Sequence, residues 1–140
     1  MRYVLDTNVV SALMRGDAAV LDALRHKPKA DVSVPQPVFA EIAYGIERLA
    51  RSRKRATLEK RLAMIKAELA RAPWTDEVSE RFGAIKAALE RKGARIEDLD
   101  VAIAAHAVAV GAVLVTANLR HMVRVPGLEV HDWAHADAQW

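Results

Sequence analysis

The feature that most constrains this chain lies at its start. An apolar run, Tyr3-Val4-Leu5, delivers Asp6, Thr7 and Asn8 just before a second apolar segment, Val9-Val10-Ser11-Ala12-Leu13. A carboxylate at the end of a short buried strand is placed where open α/β sheets bind ligands, in the crevice outside the carboxyl ends of the strands. Asp6 is therefore a candidate site residue. Asp, Thr and Asn are also good helix N-caps, so a purely local capping role is open to it as well.

The rest of the chain alternates between strand and helix patterns. Arg2 to Leu5 reads as the first strand, and Asn8 to Met14 as a short helix ended by Gly16. Asp17 caps a second short helix through Leu24, and Asp31-Val32-Ser33-Val34 fits a second strand stopped by Pro35 and Pro37. A third helix spans about Val38 to Leu49, with Val38, Ile42, Ile46 and Leu49 as its apolar stripe and Glu41 near its start. Longer helices follow at about Arg55 to Ala67 and Asp76 to Lys92, the latter ended by Gly93. Between them Leu69 to Trp74 is a weak strand that Pro73 assigns to a sheet edge. A helix to about Val110, a strand at Val113 to Thr116 and a short strand near Leu128 to Val130 complete the pattern. Helices between short apolar strands imply βαβ crossovers and a parallel sheet covered on both faces. The expected organisation is one α/β domain over residues 1–133 with a C-terminal tail at 134–140.

Composition excludes several classes. With 140 residues, 52% hydrophobic and 28% charged, the chain can bury one core and is neither disordered nor fibrous. The absence of cysteine removes disulfides, thiolate catalysis and Cys-based zinc sites, and fits the reducing cytoplasm. No secretory signal is expected, because Asp6 interrupts the only candidate apolar region near the N-terminus. Val101 to Leu119 contains no Asp, Glu, Lys or Arg and is long enough to span a bilayer, but Gly111 and the β-branched Val113-Leu114-Val115-Thr116 divide it into a buried helix, a turn and a buried strand. No membrane partner is expected.

The net charge is only +3, yet nine basic residues crowd between Arg48 and Arg71 against Glu59 and Glu68. Such a stripe can neutralise nucleic-acid phosphates. Leu58, Leu62, Ile65 and Leu69 recur at helical spacing there, so the charges read first as the solvated face of a helix packed on the core.

The chemistry must come from carboxylates, since no Gly-rich phosphate loop, HExxH or GxSxG motif is present. Asp6, Glu41, Asp98 and Asp100 each fall at a helix start or strand end, and in a parallel sheet those ends meet on one edge. Three converging carboxylates repel and raise one another's pKa unless a cation neutralises them, which predicts a divalent metal. All-oxygen ligands suit Mg²⁺ or Mn²⁺ rather than zinc. Residues two apart on a helix point about 200° from each other, so Asp98 and Asp100 cannot both face one metal from a helix. Capping is assigned to Asp98 and metal binding to Asp100, with Asp98 held as a substitute ligand.

These segments together resemble PIN-domain proteins of the VapC toxin group, and are similar to the FitB type. The resemblance rests on Val4-Leu5-Asp6-Thr7-Asn8-Val9-Val10-Ser11, Ala40-Glu41-Ile42-Ala43-Tyr44-Gly45-Ile46-Glu47, Asp100-Val101-Ala102-Ile103-Ala104-Ala105-His106-Ala107, Leu114-Val115-Thr116-Ala117-Asn118 and Val125-Pro126-Gly127-Leu128-Glu129-Val130-His131-Asp132-Trp133. It implies a three-layer α/β/α sandwich and a Mg²⁺- or Mn²⁺-dependent endoribonuclease, with Asp6, Glu41 and Asp100 as the main acidic residues. Thr7, Asn8 and Thr116 match the family's polar positions and would position phosphate. A fourth acid often lies two residues after the late threonine; here it is Asn118, which lowers the charge of the site and bears on a second metal. His121 and Met122 also depart from the common pattern. The resemblance further implies cleavage of a structured RNA such as tRNA to leave a 5′-phosphate and a 3′-hydroxyl, a small cognate antitoxin lying across the acidic pocket, and a homodimer. Apolar positions on the first three helices are candidates for both protein surfaces.

Other residues carry weaker expectations. His106, inside an apolar run, reads as a packed core histidine, and His26, His121, His131 and His135 lack metal-ligand spacing. Trp74, Trp133 and Trp140 are not interleaved with basic residues as a stacking platform requires; Trp133 is assigned to the core and Trp140 to a loose terminus. Two competing functions remain: a PIN-like module that binds RNA or a partner protein without cutting, motivated by Asn118, and an aspartyl-phosphate enzyme or receiver using Asp6. The latter lacks a DxD pair, because position 8 is Asn.

Overall fold

The computed structural model describes residues 1–134. Five strands, β1 (Tyr3–Leu5), β2 (Val32–Pro35), β3 (Ala70–Ala72), β4 (Val113–Val115) and β5 (Val130–His131), form one sheet in the order β3-β2-β1-β4-β5. Every neighbouring pair is parallel, with Tyr3 opposite Val32 on one side and opposite Val113 on the other. The helices are α1 (Thr7–Met14), α2 (Ala18–Arg25), α3 (Gln36–Glu47), α4 (Arg53–Glu68), α5 (Asp76–Arg91), α6 (Asp98–Val110) and α7 (Leu119–Met122). They cover both faces of the sheet, giving the expected three-layer α/β/α sandwich.

The core explains the strand sequences. Leu5, Val34, Leu114 and Val115 have no exposed surface, as befits central strands covered on both sides. Helix α6 is apolar almost all round because it lies inside: Val101 to Ala107 is an unbroken run of buried residues, packed against β1, β4, α3 and α5. The charge-free stretch is thus a central helix and a central strand, and no helix among the described residues is long and apolar enough to cross a membrane. Gly111 makes the turn between them, with φ of +65°, while Ala112 N–H donates to Ala107 O at 2.9 Å to close the helix end.

The weak strand pattern before Pro73 is β3, at the edge, as its proline requires. The basic stripe is largely the solvated face of α4, where Leu62 alone is fully buried and Leu58 and Ile65 are partly so. Two of its cations are structural: Arg55 pairs with Glu47 and Glu59, and Arg61 donates to Met14 O at 2.6 Å.

Several boundaries differ from expectation. Helix α3 starts two residues early because Pro35 and Pro37 fit its N-cap and first turn, which need no backbone donor. The last strand begins at Val130 rather than Leu128, because Val125 to Leu128 forms a turn with Gly127 at φ +73°. A short 3₁₀ turn at Lys29–Asp31 and the one-turn α7 carry no periodic pattern and were not anticipated. The proposed tail and Trp140 lie outside the described residues, apart from Ala134.

Gly111→Ala will lower stability by about 1 kcal/mol, since nothing crowds a new Cβ there and only the left-handed backbone resists it. Urea unfolding with an unchanged m-value checks this; an unaltered midpoint would contradict it.

Candidate active site

Strands β1 and β4 are neighbours, with β2 and β3 lying beyond one and β5 beyond the other. Their carboxyl ends therefore mark the point where the winding of the sheet reverses, the usual binding crevice of such folds. Asp6 follows β1 and Thr116 follows β4, both buried. Asp6 N–H donates to Val115 O at 2.9 Å and Thr116 N–H to His131 O at 2.9 Å, so the ladder itself fixes both residues.

Capping and site roles prove to be compatible in Asp6. Its Oδ1 accepts the Thr7 N–H at 2.7 Å, opening α1, while Oδ2 accepts Thr116 Oγ1–H at 2.8 Å and Asn8 Nδ2–H at 3.3 Å. Asn8 is itself held at both ends, donating also to Thr116 Oγ1 at 3.3 Å and accepting the Ala117 N–H at 2.8 Å. Asn118, the residue before α7, donates its N–H to Thr116 Oγ1 at 2.9 Å and makes no side-chain cap bond. Glu41, in the second turn of α3, accepts the Thr7 hydroxyl on Oε1 at 2.6 Å. Thus the donors of Thr7, Asn8 and Thr116 point at carboxylates of the site.

Asp100 enters from the first turn of α6. Its carboxyl is pushed up to about 6, by partial burial first and then by the charges of Asp6, Glu41 and Glu97. The Asp6 carboxyl is also raised, because burial outweighs the hydrogen bonds from Thr116, Thr7 and Asn8, and Glu41 adds repulsion. Three carboxylates therefore sense one another at one sheet edge. Among the described residues, none of the ion pairs includes any of them.

Oxygen donors, shared negative charge and, among the described residues, no paired cation are the chemistry that a hard divalent cation takes. As they stand, no three acidic or imidazole side chains among the described residues are gathered tightly enough to cage an ion.

Asp98 requires a correction. The N-cap of α6 is Glu97, not Asp98, and it makes no side-chain cap bond. Asp98 is already helical, and its exposed carboxylate pairs with Lys86 of α5 at 3.1 Å. The helical angle between positions 98 and 100 explains the split, with Asp100 toward the other acids and Asp98 away from them. Glu97 was missed as a contributor to the local charge; the acidic run Glu97-Asp98-Leu99-Asp100 was its legible signal.

His106 is a core residue, buried, with Nδ1–H donating to Ala102 O at 2.8 Å and its pKa lowered by burial. Trp133 is likewise buried, against Tyr3.

Comparison with known proteins identifies the family of the chain. Residues 3–128 match the PIN domain. The chain belongs to the PIN-domain family. A relative of this PIN domain is Ribonuclease VapC2 of Haemophilus influenzae, 32% identical over 136 residues, spanning 95% of this chain and 98% of the relative. The tRNA(fMet)-specific endonuclease VapC of Salmonella typhimurium is 28% identical over the same shares of the two chains. Among solved structures, VapBC2 from Rickettsia felis bound to a DNA fragment from its promoter superposes with a TM-score of 0.85 at 26% identity, covering 95% of this chain and 99% of that one. FitAcB from Neisseria gonorrhoeae, at 23% identity and a TM-score of 0.80, shares the fold over 95% of this chain and 99% of its own.

A carboxyl whose folded pKa exceeds its unfolded value destabilises the fold once it ionises. For Asp100 that cost grows as pH rises from about 4 to about 6 and is complete above it. In EDTA at pH 7.5, Asp100→Asn will therefore be more stable than the parent by about 1 kcal/mol, after allowing for solvent screening of a half-exposed group. The difference should close below pH 4; a gap independent of pH would contradict the electrostatic origin.

Proposed function

We propose that this chain is the toxin of a toxin–antitoxin pair, a divalent-metal-dependent endoribonuclease that cleaves structured RNA such as tRNA in the cytoplasm. The observation that carries the reading is the trio Asp6, Glu41 and Asp100 at the β1/β4 edge, with raised carboxyl pKa values at Asp6 and Asp100 and, among the described residues, no cation in an ion pair with any of the three. Ribonuclease VapC2 and the tRNA(fMet)-specific endonuclease support the reaction class, and the VapBC complexes support a protein inhibitor.

Asp6, Glu41 and Asp100 would hold Mg²⁺ or Mn²⁺, with Asn118 as a neutral ligand or phosphate contact in the position of a fourth acid. When bound, the cation supplies Lewis-acid activation of water and neutralises charge on the phosphate. The chain's own contribution is orientation. Thr116 and Asn8 hold the Asp6 carboxylate and Thr7 holds that of Glu41, which restricts the rotamers from which their oxygens would approach a cation. Glu41 or Asp100 orients the attacking water and accepts its proton. The water oxygen would bond to phosphorus as the P–O3′ bond breaks, and O3′ would take a proton from solvent while the carboxylate returns its own to solvent, leaving a 5′-phosphate and a 3′-hydroxyl. A small antitoxin would silence this pocket by laying a basic side chain across the carboxylates, and the chain would act as a homodimer.

The test is incubation of the purified chain with a total tRNA pool and Mg²⁺ or Mn²⁺, against EDTA and Asp6→Asn controls. Discrete cuts that need metal and vanish in Asp6→Asn are expected; intact RNA bound in a salt-sensitive manner would instead favour a non-cutting module. Thr116→Val should cut about 10- to 100-fold more slowly at limiting metal and recover at high metal, because it acts through Asp6. Undiminished activity would remove Thr116 from the machinery.

A further inference from the structure

Between the start of α3 and the start of α6 is a shallow apolar shelf that the reaction as described does not use. It is lined by Gln36, Pro37, Phe39 and Ala40 of α3, Leu99 of α6, and Trp74. The shelf lies on the same carboxyl edge of the sheet as the acids: α3 follows β2, Trp74 follows β3 and Asp6 follows β1, while Leu99, like Asp100, is in the first turn of α6. Trp74 follows the carboxyl end of β3 and is 46% exposed, an unusual exposure for a large aromatic side chain.

The exposed indole is held in place rather than loose. Its Nε1–H donates to Ser79 Oγ at 2.6 Å, the His106 ring meets it edge-on at 5.4 Å, and Phe82 lies 6.1 Å away. The basic interleaving that the sequence lacks around Trp74 is supplied by the fold. Arg71 of β3 and Lys66 of α4 stand over the Phe39 ring at 5.9 and 5.5 Å, beside the shelf. A fixed aromatic face, adjacent cations and a neighbouring phosphoryl-transfer site are the elements of a single-stranded nucleic-acid platform.

We infer that Trp74 is a substrate-binding residue, stacking an unpaired nucleobase of the RNA on the same sheet edge as the carboxylates while Arg71 and Lys66 neutralise the adjoining backbone. This rests on the ribonuclease reading and refines it, since it requires a splayed-out base at the cut. An RNA loop or bulge would then be preferred to a continuous duplex.

The experiment measures cleavage of a total tRNA pool by the full chain and by Trp74→Leu and Trp74→Phe, with melting temperature and sedimentation for each. The affinity of Asp6→Asn and of Asp6→Asn/Trp74→Leu for the same pool gives a readout free of turnover. Stacking predicts a KM raised about tenfold in Trp74→Leu with kcat little changed, an equal loss of affinity in the double variant, and recovery in Trp74→Phe. An unchanged KM and affinity would overturn the inference, as would a loss of kcat that tracks the melting temperature. Loss of self-association with KM unaltered would also overturn it, by making the shelf a contact between copies of the chain. In these cases the parent still cuts RNA and the ribonuclease reading stands; a parent that neither cuts nor binds the pool would bring down both.

Discussion

The hydrogen bond from Thr116 to Asp6 joins residues 110 positions apart and exists only because β1 and β4 pair in the middle of the sheet. With it, the ends of the two central strands become one polar nest in an otherwise apolar interior. Asn8 spans the same gap, tied to Asp6 and Thr116 by its amide and to Ala117 by its carbonyl. The remaining acids arrive on helices that must pack correctly on this sheet, Glu41 through α3 and Asp100 through α6. The site is thus a product of the fold's winding and not of any local motif.

That arrangement opposes stability. Burying Asp6 and bringing Glu41 and Asp100 near it raises carboxyl pKa values, which means the folded chain would rather hold protons there than charges. The surrounding structure is built to withstand this. Leu5, Leu114, Val115 and Ile103 are fully buried around the strand ends, and the side chains of Thr7, Asn8 and Thr116 satisfy carboxylate oxygens that would otherwise be left without partners. Under the proposed function a bound divalent cation would convert the repulsion into binding energy, and the electrostatics that weakens the isolated chain would become its affinity for metal.

Much of this was legible in the sequence where pattern and chemistry coincide. The start of the chain, with an apolar triplet followed by Asp-Thr-Asn, marked both a strand end and a helix start, and Asp6 is both. Glu41 and Asp100 stood out because each lies at the beginning of an apolar helix. Asp98 was misassigned as the cap because sequence cannot tell which of three nearby acids takes a helix end, and Glu97 takes it. The shelf at Trp74 was invisible for a different reason: its cations come from α4 and the β3 edge, and their proximity depends on tertiary packing around Phe39. Helix α7 and the late start of β5 were hidden because one-turn helices and two-residue strands are too short to show a period.

The most direct test is calorimetric titration of the full chain with Mn²⁺ at pH 6, in two buffers of different ionisation enthalpy, so that protons released on binding are counted. Binding at the trio predicts that about half a proton leaves Asp100 at this pH, with affinity lost in Asp6→Asn and in Asp100→Asn. Equal Mn²⁺ affinity in the parent and both variants would contradict a metal centre on these carboxylates.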